Sequence, residues 1–224
     1  MKSIYHLISI IILLLSGCQV DDAILHPDKG YSDQFAVGKG IVRFNSYEPL
    51  QNKPVNIHYF IPASGNPRHM PVLLLFPGTE RNANDYLGAW IAEATTKKVM
   101  VFALEFPKEH YSASEYIEGG LFKNAVQQDE KEWTFSLIDP VFEYIKKSLD
   151  GTQQQYDIWG HSAGAQFVER FMLFKSGTKV NRALAANPGW YTLPDLNKNY
   201  PYGLAGTSFA DSSIQKVFFS KNLI

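Results

Sequence analysis

A single cysteine, Cys18, leaves no partner for an internal disulfide, and no set of cysteines and histidines has the spacing of a zinc site. No metal and no cofactor are implied. An excess of charge of one sign is also missing. The 21 lysines and arginines against 22 aspartates and glutamates give a net charge of −1 with no basic cluster, which excludes the electrostatic footprint of a nucleic-acid binder. Long hydrophobic runs are absent as well: the apolar stretch from Leu7 to Leu15, broken by Ser9, falls far short of the ~20 residues needed to cross a bilayer. With Lys2 ahead of it, that stretch reads as a secretion signal. There are no internal repeats and no low-complexity tracts.

What the chain has is core. Its 224 residues are 45% hydrophobic, with 15 Phe and 12 Tyr, enough for one substantial globular domain. The signal ends in Leu15-Ser16-Gly17-Cys18, which resembles the lipobox of bacterial lipoproteins, and the only cysteine falls where that box needs it. The resemblance implies cleavage after residue 17, lipidation of Cys18 and an exported protein anchored by lipid to a cell-envelope membrane. Asp21 and Asp22 resemble an acidic surface-export signal of some Gram-negative lipoproteins, and are equally at home in a solvated tether. The expected organisation is a signal peptide over 1–17, a polar tether over 18–35 with Pro27 and Gly30, and a domain over 36–224.

Two β-like runs open the domain, residues 36–47 and 54–61, the second alternating Val55, Ile57 and Tyr59; they read as a hairpin at a sheet edge. The unbroken Val72-Leu73-Leu74-Leu75-Phe76 and the run 99–104 are strands buried on both faces, separated by a helix expected over 84–97. Residues 105–131 form a long polar connection, expected to wall a cleft. A helix is expected over 132–149, kinked at Pro140 or started there by an Asp139 cap. A short strand over 183–186 leads into Asn187-Pro188-Gly189-Trp190-Tyr191. Alternating buried strands and helices predict an α/β domain with a mostly parallel, doubly wound sheet, its chemistry at the strands' C-terminal ends.

The stretch that organises this chain is Tyr156-Asp157-Ile158-Trp159-Gly160-His161-Ser162-Ala163-Gly164. It is an apolar run, then Gly-x-Ser-x-Gly, then Phe167, Val168, Phe171, Met172 and Phe174 at helical spacing. A strand-to-helix turn this tight strains its central residue and needs its neighbours nearly bare, hence glycine two positions away on both sides. Together with Phe76-Pro77-Gly78-Thr79-Glu80-Arg81-Asn82-Ala83 and the Asn187 to Tyr191 segment, it resembles the α/β-hydrolases, and more narrowly their secreted esterase branch with polyhydroxybutyrate depolymerases and feruloyl esterases.

That resemblance implies Ser162 as the nucleophile of an acyl-enzyme mechanism on small or polymer-linked esters, with the backbone amides of Ala163 and Thr79 as the oxyanion hole. Pro77 departs from the histidine usual before that glycine. Arg81 and Asn82 brace the loop, meet substrate, or are simply a solvated helix-entry charge and an N-cap; Trp190 and Tyr191 either stack on substrate or pack the loop. His161 is directed away from the hydroxyl and carries no catalytic role. The family order is serine, acid, histidine, yet the six histidines are His6, His26, His58, His69, His110 and His161, none after Ser162. Asp195 and Asp211 follow it, but the acid is expected after a strand beginning near Val217.

The fold is therefore expected to be incomplete at its C-terminus, and the chain as given inactive. The competing reading is a non-catalytic lipoprotein binding glycan or peptide in a degenerate cleft. A metal-free haloperoxidase-like or acyltransferase activity would need the same missing groups. Oligomeric state is left open.

Overall fold

The computed structural model describes residues 34–210 and 223–224. The expected signal peptide, Cys18, nearly all of the tether, Asp211 and residues 217–222 lie outside the described residues.

Strands β1 (Gly38–Phe44), β2 (Val55–Ile61), β3 (Val72–Phe76), β4 (Met100–Glu105), β7 (Tyr156–His161) and β8 (Val180–Ala186) form one sheet in the order β1-β2-β4-β3-β7-β8. The pairs β1–β2 and β2–β4 are antiparallel, while β3–β4, β3–β7 and β7–β8 are parallel. The expected edge hairpin and the mostly parallel, doubly wound sheet are both present. Helix α1 (Ala83–Lys97) covers one face; α3 (Ile138–Ser148) and α4 (Ala163–Phe174) cover the other.

All five residues of β3 are buried because both faces are covered. Leu74 and Phe76 enter the larger core cluster with Phe102, Phe142, Phe167 and Phe171, whereas Leu73 and Leu75 join Ala83, Leu87 and Val101 under α1. From β3 the chain passes first to β4 on one side and then to β7 on the other. The order reverses at β3, and the crevice beyond the carboxyl ends of β3 and β7 is where this architecture binds ligands.

Two segments depart from expectation. The helix expected over 132–149 is broken: Thr134–Leu137 is a 3-10 turn and α3 starts only at Ile138, with Pro140 in its first turn, where a missing N–H costs little. Asp139 is not its cap. Its carboxylate instead accepts from the Tyr156 hydroxyl (2.7 Å), the Thr178 hydroxyl (3.2 Å) and the Lys179 N–H (3.1 Å), tying α3 to the starts of β7 and β8. The polar connection after β4 holds a helix, α2 (Ala113–Ile117), with a Ser112/Glu115 capping box, and a hairpin of β5 (Phe122–Lys123) and β6 (Val126–Gln127). Beyond β8, Leu223 bridges Ala183 in parallel, with Ile224 N–H donating to the Ala183 carbonyl at 2.8 Å.

Candidate active site

One residue separates β7 from α4. Ser162 has φ 55° and ψ −117°, a conformation that costs an L-residue ~1–3 kcal/mol and persists only where its surroundings enforce it. The enforcement is visible: Ser162 N–H donates to the Ala186 carbonyl at the end of β8 (3.0 Å), and the Ser162 carbonyl accepts from Gln166 N–H (3.1 Å). A Cβ at Gly160 would lie 2.2 Å from the Gly164 carbonyl oxygen, and one at Gly164 only 1.9 Å from that of Phe76. Both glycines are required because the end of β3, the end of β7 and the first turn of α4 meet without room for a methyl group. The Ser162 side chain is half-buried and makes no hydrogen bond among the described residues.

The loop after β3 lies against this turn. A Cβ on Gly78 would sit 3.6 Å from Ser162 Cβ and 3.0 Å from the Tyr86 hydroxyl. Arg81 N–H closes the loop onto the Gly78 carbonyl at 3.0 Å, with Arg81 itself at φ 57°. Neither the Thr79 N–H, one residue past Gly78, nor the Ala163 N–H, at the first position of α4, donates a hydrogen bond among the described residues. Two unengaged amides close to a strained, accessible serine are what a developing oxyanion needs.

Beneath the loop, the buried Tyr116 donates its hydroxyl proton to the Pro77 carbonyl at 2.6 Å. Arg81 Nη1 donates to the Phe106 carbonyl at 2.9 Å, and the guanidinium lies 3.8 Å from the centre of the Tyr116 ring. Of the roles open to Arg81, the contacts are those of a brace: only 6% exposed, it is not a solvated charge and it faces the interior and not the cleft. Burial lowers its pKa and raises that of Tyr116. His161 stands behind the turn, its Nδ1 2.8 Å from the Tyr86 hydroxyl and its ring stacked on Trp159.

The segment after β8 is pinned to α4. Trp190 is half-buried, its ring 4.0 Å from the Arg170 guanidinium and 4.9 Å from the ring of Tyr202, and its carbonyl accepts from Gln166 Nε2 at 3.3 Å. These are packing contacts; Tyr191, 53% exposed, is the more available of the pair. Arg170 is fully buried, its Nε donating to Thr192 Oγ1 (2.8 Å) and its Nη1 to the carbonyls of Ile117 (3.1 Å) and Gln166 (3.0 Å). Beside it, Glu169 accepts from Thr192 N–H at 3.3 Å, and burial pushes its carboxyl up to about 7 against the opposing pull of Arg170.

No histidine hydrogen-bonds the serine hydroxyl among the described residues. His58 bonds Glu105 (2.9 Å), His69 bonds Thr152 (2.9 Å), and His110 sits half-buried in the turn after β4. Asp195 accepts from Asn197 N–H within its own turn at 2.9 Å. Sequence reasoning missed Tyr86, Tyr116, Glu169, Arg170 and Thr192 as site supports. The Glu169-Arg170 pair carried a signal, since two charges interrupt an otherwise apolar helix stripe; Tyr86 and Tyr116 carried none.

No protein-family model matches the chain. No curated protein matches it either. Among solved structures it is similar to poly(aspartic acid) hydrolase-1 from Sphingomonas sp. KT-1, with 32% identity over 84% of this chain and 70% of that one and a TM-score of 0.79. It is also similar to a poly(3-hydroxybutyrate) depolymerase from Bordetella parapertussis, with 27% identity, 84% and 64% coverage and a TM-score of 0.79. An acetyl xylan esterase from Aspergillus awamori, at 8% identity and a TM-score of 0.50, shares the fold alone. Sheet order and strand–serine–helix turn are those of an α/β-hydrolase. The chain belongs to that superfamily and to its esterase branch, a family of hydrolases.

Proposed function

We propose that the chain is a serine hydrolase of carboxylic esters. Ser162 attacks the ester carbonyl, the alcohol leaves, and water releases the acid from the acyl-enzyme; the Ala163 and Thr79 amides receive the oxyanion in each step. The observation that carries the reading is the strained Ser162 locked between Gly160 and Gly164 with Gly78 against it. A pure binding protein has no use for a backbone held at such cost. The names of both closer structural relatives denote hydrolysis of polymers, which favours a polymer-linked substrate, and the exposure of Tyr191 on the loop after β8 supports it as an aromatic contact for that substrate.

A serine hydroxyl needs a base, and residues 163–224 contain no histidine. Residues 1–224 by themselves are therefore proposed to turn over esters little or not at all. The same unpartnered hydroxyl favours the second reading, a cleft that binds glycan or peptide without cleaving it. Ser162→Ala separates the two. It should abolish turnover of short-chain p-nitrophenyl esters and labelling by a fluorophosphonate, in this chain or a longer form; activity that survives it would refute the serine mechanism.

We further propose that the mature protein begins at lipidated Cys18 and is held at a cell-envelope membrane. One acyl chain gives only marginal attachment, so several are expected there. Mass spectrometry of the N-terminal peptide should find the modified cysteine, and Cys18→Ala should release soluble protein; an unmodified start elsewhere would reject the anchor.

A further inference from the structure

Among the described residues, Arg81 is a buried cation without a counter-ion. It is 6% exposed, no carboxylate pairs with it among the described residues, and its Nε is buried with no hydrogen-bond partner. Its company is one carbonyl, that of Phe106, and one aromatic face, that of Tyr116. An arginine stays protonated under such conditions, and leaving it uncompensated in the interior is expensive. Replacing buried charged groups by well-packed apolar side chains is often neutral or stabilising, so the presence of Arg81 calls for a role other than stability.

Its location supplies one. The Arg81 N–H closes the loop onto Gly78, whose Cα faces Ser162, and the Tyr116 hydroxyl under the guanidinium holds the Pro77 carbonyl at the loop's other end. Thr79, whose N–H is unengaged, lies between these two tethers. The Arg81 charge and the free amide therefore belong to one five-residue loop. In a site sheltered from water, a fixed positive charge behind an oxyanion donor strengthens it.

We propose that Arg81 is a positioning residue that acts through residues 77–81: with Tyr116 it fixes the Thr79 amide toward the Ser162 oxyanion, and its uncompensated charge polarises that amide. This rests on the serine-hydrolase reading. Arg81 touches no substrate atom, so its effect belongs to the transition state and not to substrate binding.

The test is kinetics on p-nitrophenyl butyrate together with inhibition by phenylboronic acid, which forms an anionic tetrahedral adduct on serine, in the ester-hydrolysing form of the protein. Arg81→Met should lower kcat about 10- to 100-fold, weaken boronate inhibition in parallel and leave KM within about twofold, without a drop in Tm. Arg81→Lys, which keeps the charge, should recover most of the loss. A raised KM at unchanged kcat would make Arg81 a substrate contact, and Arg81→Lys no better than Arg81→Met would make it a steric brace; either overturns the proposal. Should Arg81→Met not fold, Tyr116→Phe decides: kcat should fall at constant KM, and an unchanged kcat overturns the proposal. Turnover surviving Ser162→Ala defeats the parent reading, whereas wild-type kinetics in Arg81→Met beside an inactive Ser162→Ala defeats only this one.

Discussion

Gly164 and Gly88 are both helical glycines, and geometry gives them opposite fates on substitution. Methylating Gly164 drives a carbon to 1.9 Å from the Phe76 carbonyl oxygen, a backbone atom that cannot yield without moving β3. At Gly88, exposed on α1, an added Cβ meets nothing within 4 Å. Gly164→Ala is expected to cost about 3 kcal/mol or more, at the upper end of overpacking penalties, while Gly88→Ala should stabilise by about 0.5–1 kcal/mol through helix propensity. Urea denaturation of the two variants checks the contrast; a Gly164→Ala protein as stable as the parent would mean that β3 and α4 do not approach as described. This part of the site was legible in the sequence because the requirement is local: a Gly-x-Ser-x-Gly turn between a strand and a helix admits little else. The orientation of Arg81 was not legible, since a side chain at a loop end turns inward or outward according to partners such as Phe106 and Tyr116, 25 and 35 residues further on.

At the scale of elements, α4 does two jobs. Its N-terminus presents Ser162 and its second turn, through Gln166, Glu169 and Arg170, fastens the segment carrying Trp190 and Thr192. Burial raises the Glu169 carboxyl from 4.5 to about 7 in the folded state. Between those values the unfolded chain has already released a proton that the folded chain still holds, so this group makes stability fall as pH rises from about 4.5 to about 7 and level off above. The contribution is on the order of 3 kcal/mol at full extent. Glu169→Gln keeps the shape without the titration. Its unfolding free energy should lose that decline and exceed the parent's at pH 8, measured by denaturant unfolding across pH 4.5–8; parallel pH profiles would refute it. The strands β3, β4 and β7 were readable as buried apolar runs, but α2 and the β5–β6 hairpin were not. They are five and two residues long, below any detectable periodicity, and the Ser112/Glu115 capping box was the one local sign of α2.

For the molecule as a whole, the two faces of the sheet are unequally covered. On the α1 side, Leu73, Trp90, Val101, Trp159 and Leu184 line an open groove of about 330 Å³, rimmed by the Asp157–Arg182 ion pair. Along β8, Tyr191, Leu193 and Ile224 are 53%, 47% and 76% exposed. Val37, Val126 and Tyr202 are also exposed, but Tyr191, Leu193, Leu223 and Ile224 beside β8 lie together around one apolar hollow, the kind of surface that often meets a partner. Residues 163–224 hold no histidine, and the family order puts the histidine after the serine. Purified residues 19–224 are accordingly expected to self-associate and to show negligible ester turnover. Fusing to them the C-terminal segment of the Sphingomonas poly(aspartic acid) hydrolase-1, of which this chain spans 70%, should yield a monomer with Ser162-dependent activity. Size-exclusion chromatography and p-nitrophenyl ester assays on the two proteins decide it. If residues 19–224 alone are monomeric, melt cooperatively and work within about tenfold of the fusion, the exposed edge is an ordinary surface, the serine draws its base from within these residues, and His110 in the turn after β4 is the side chain to replace next.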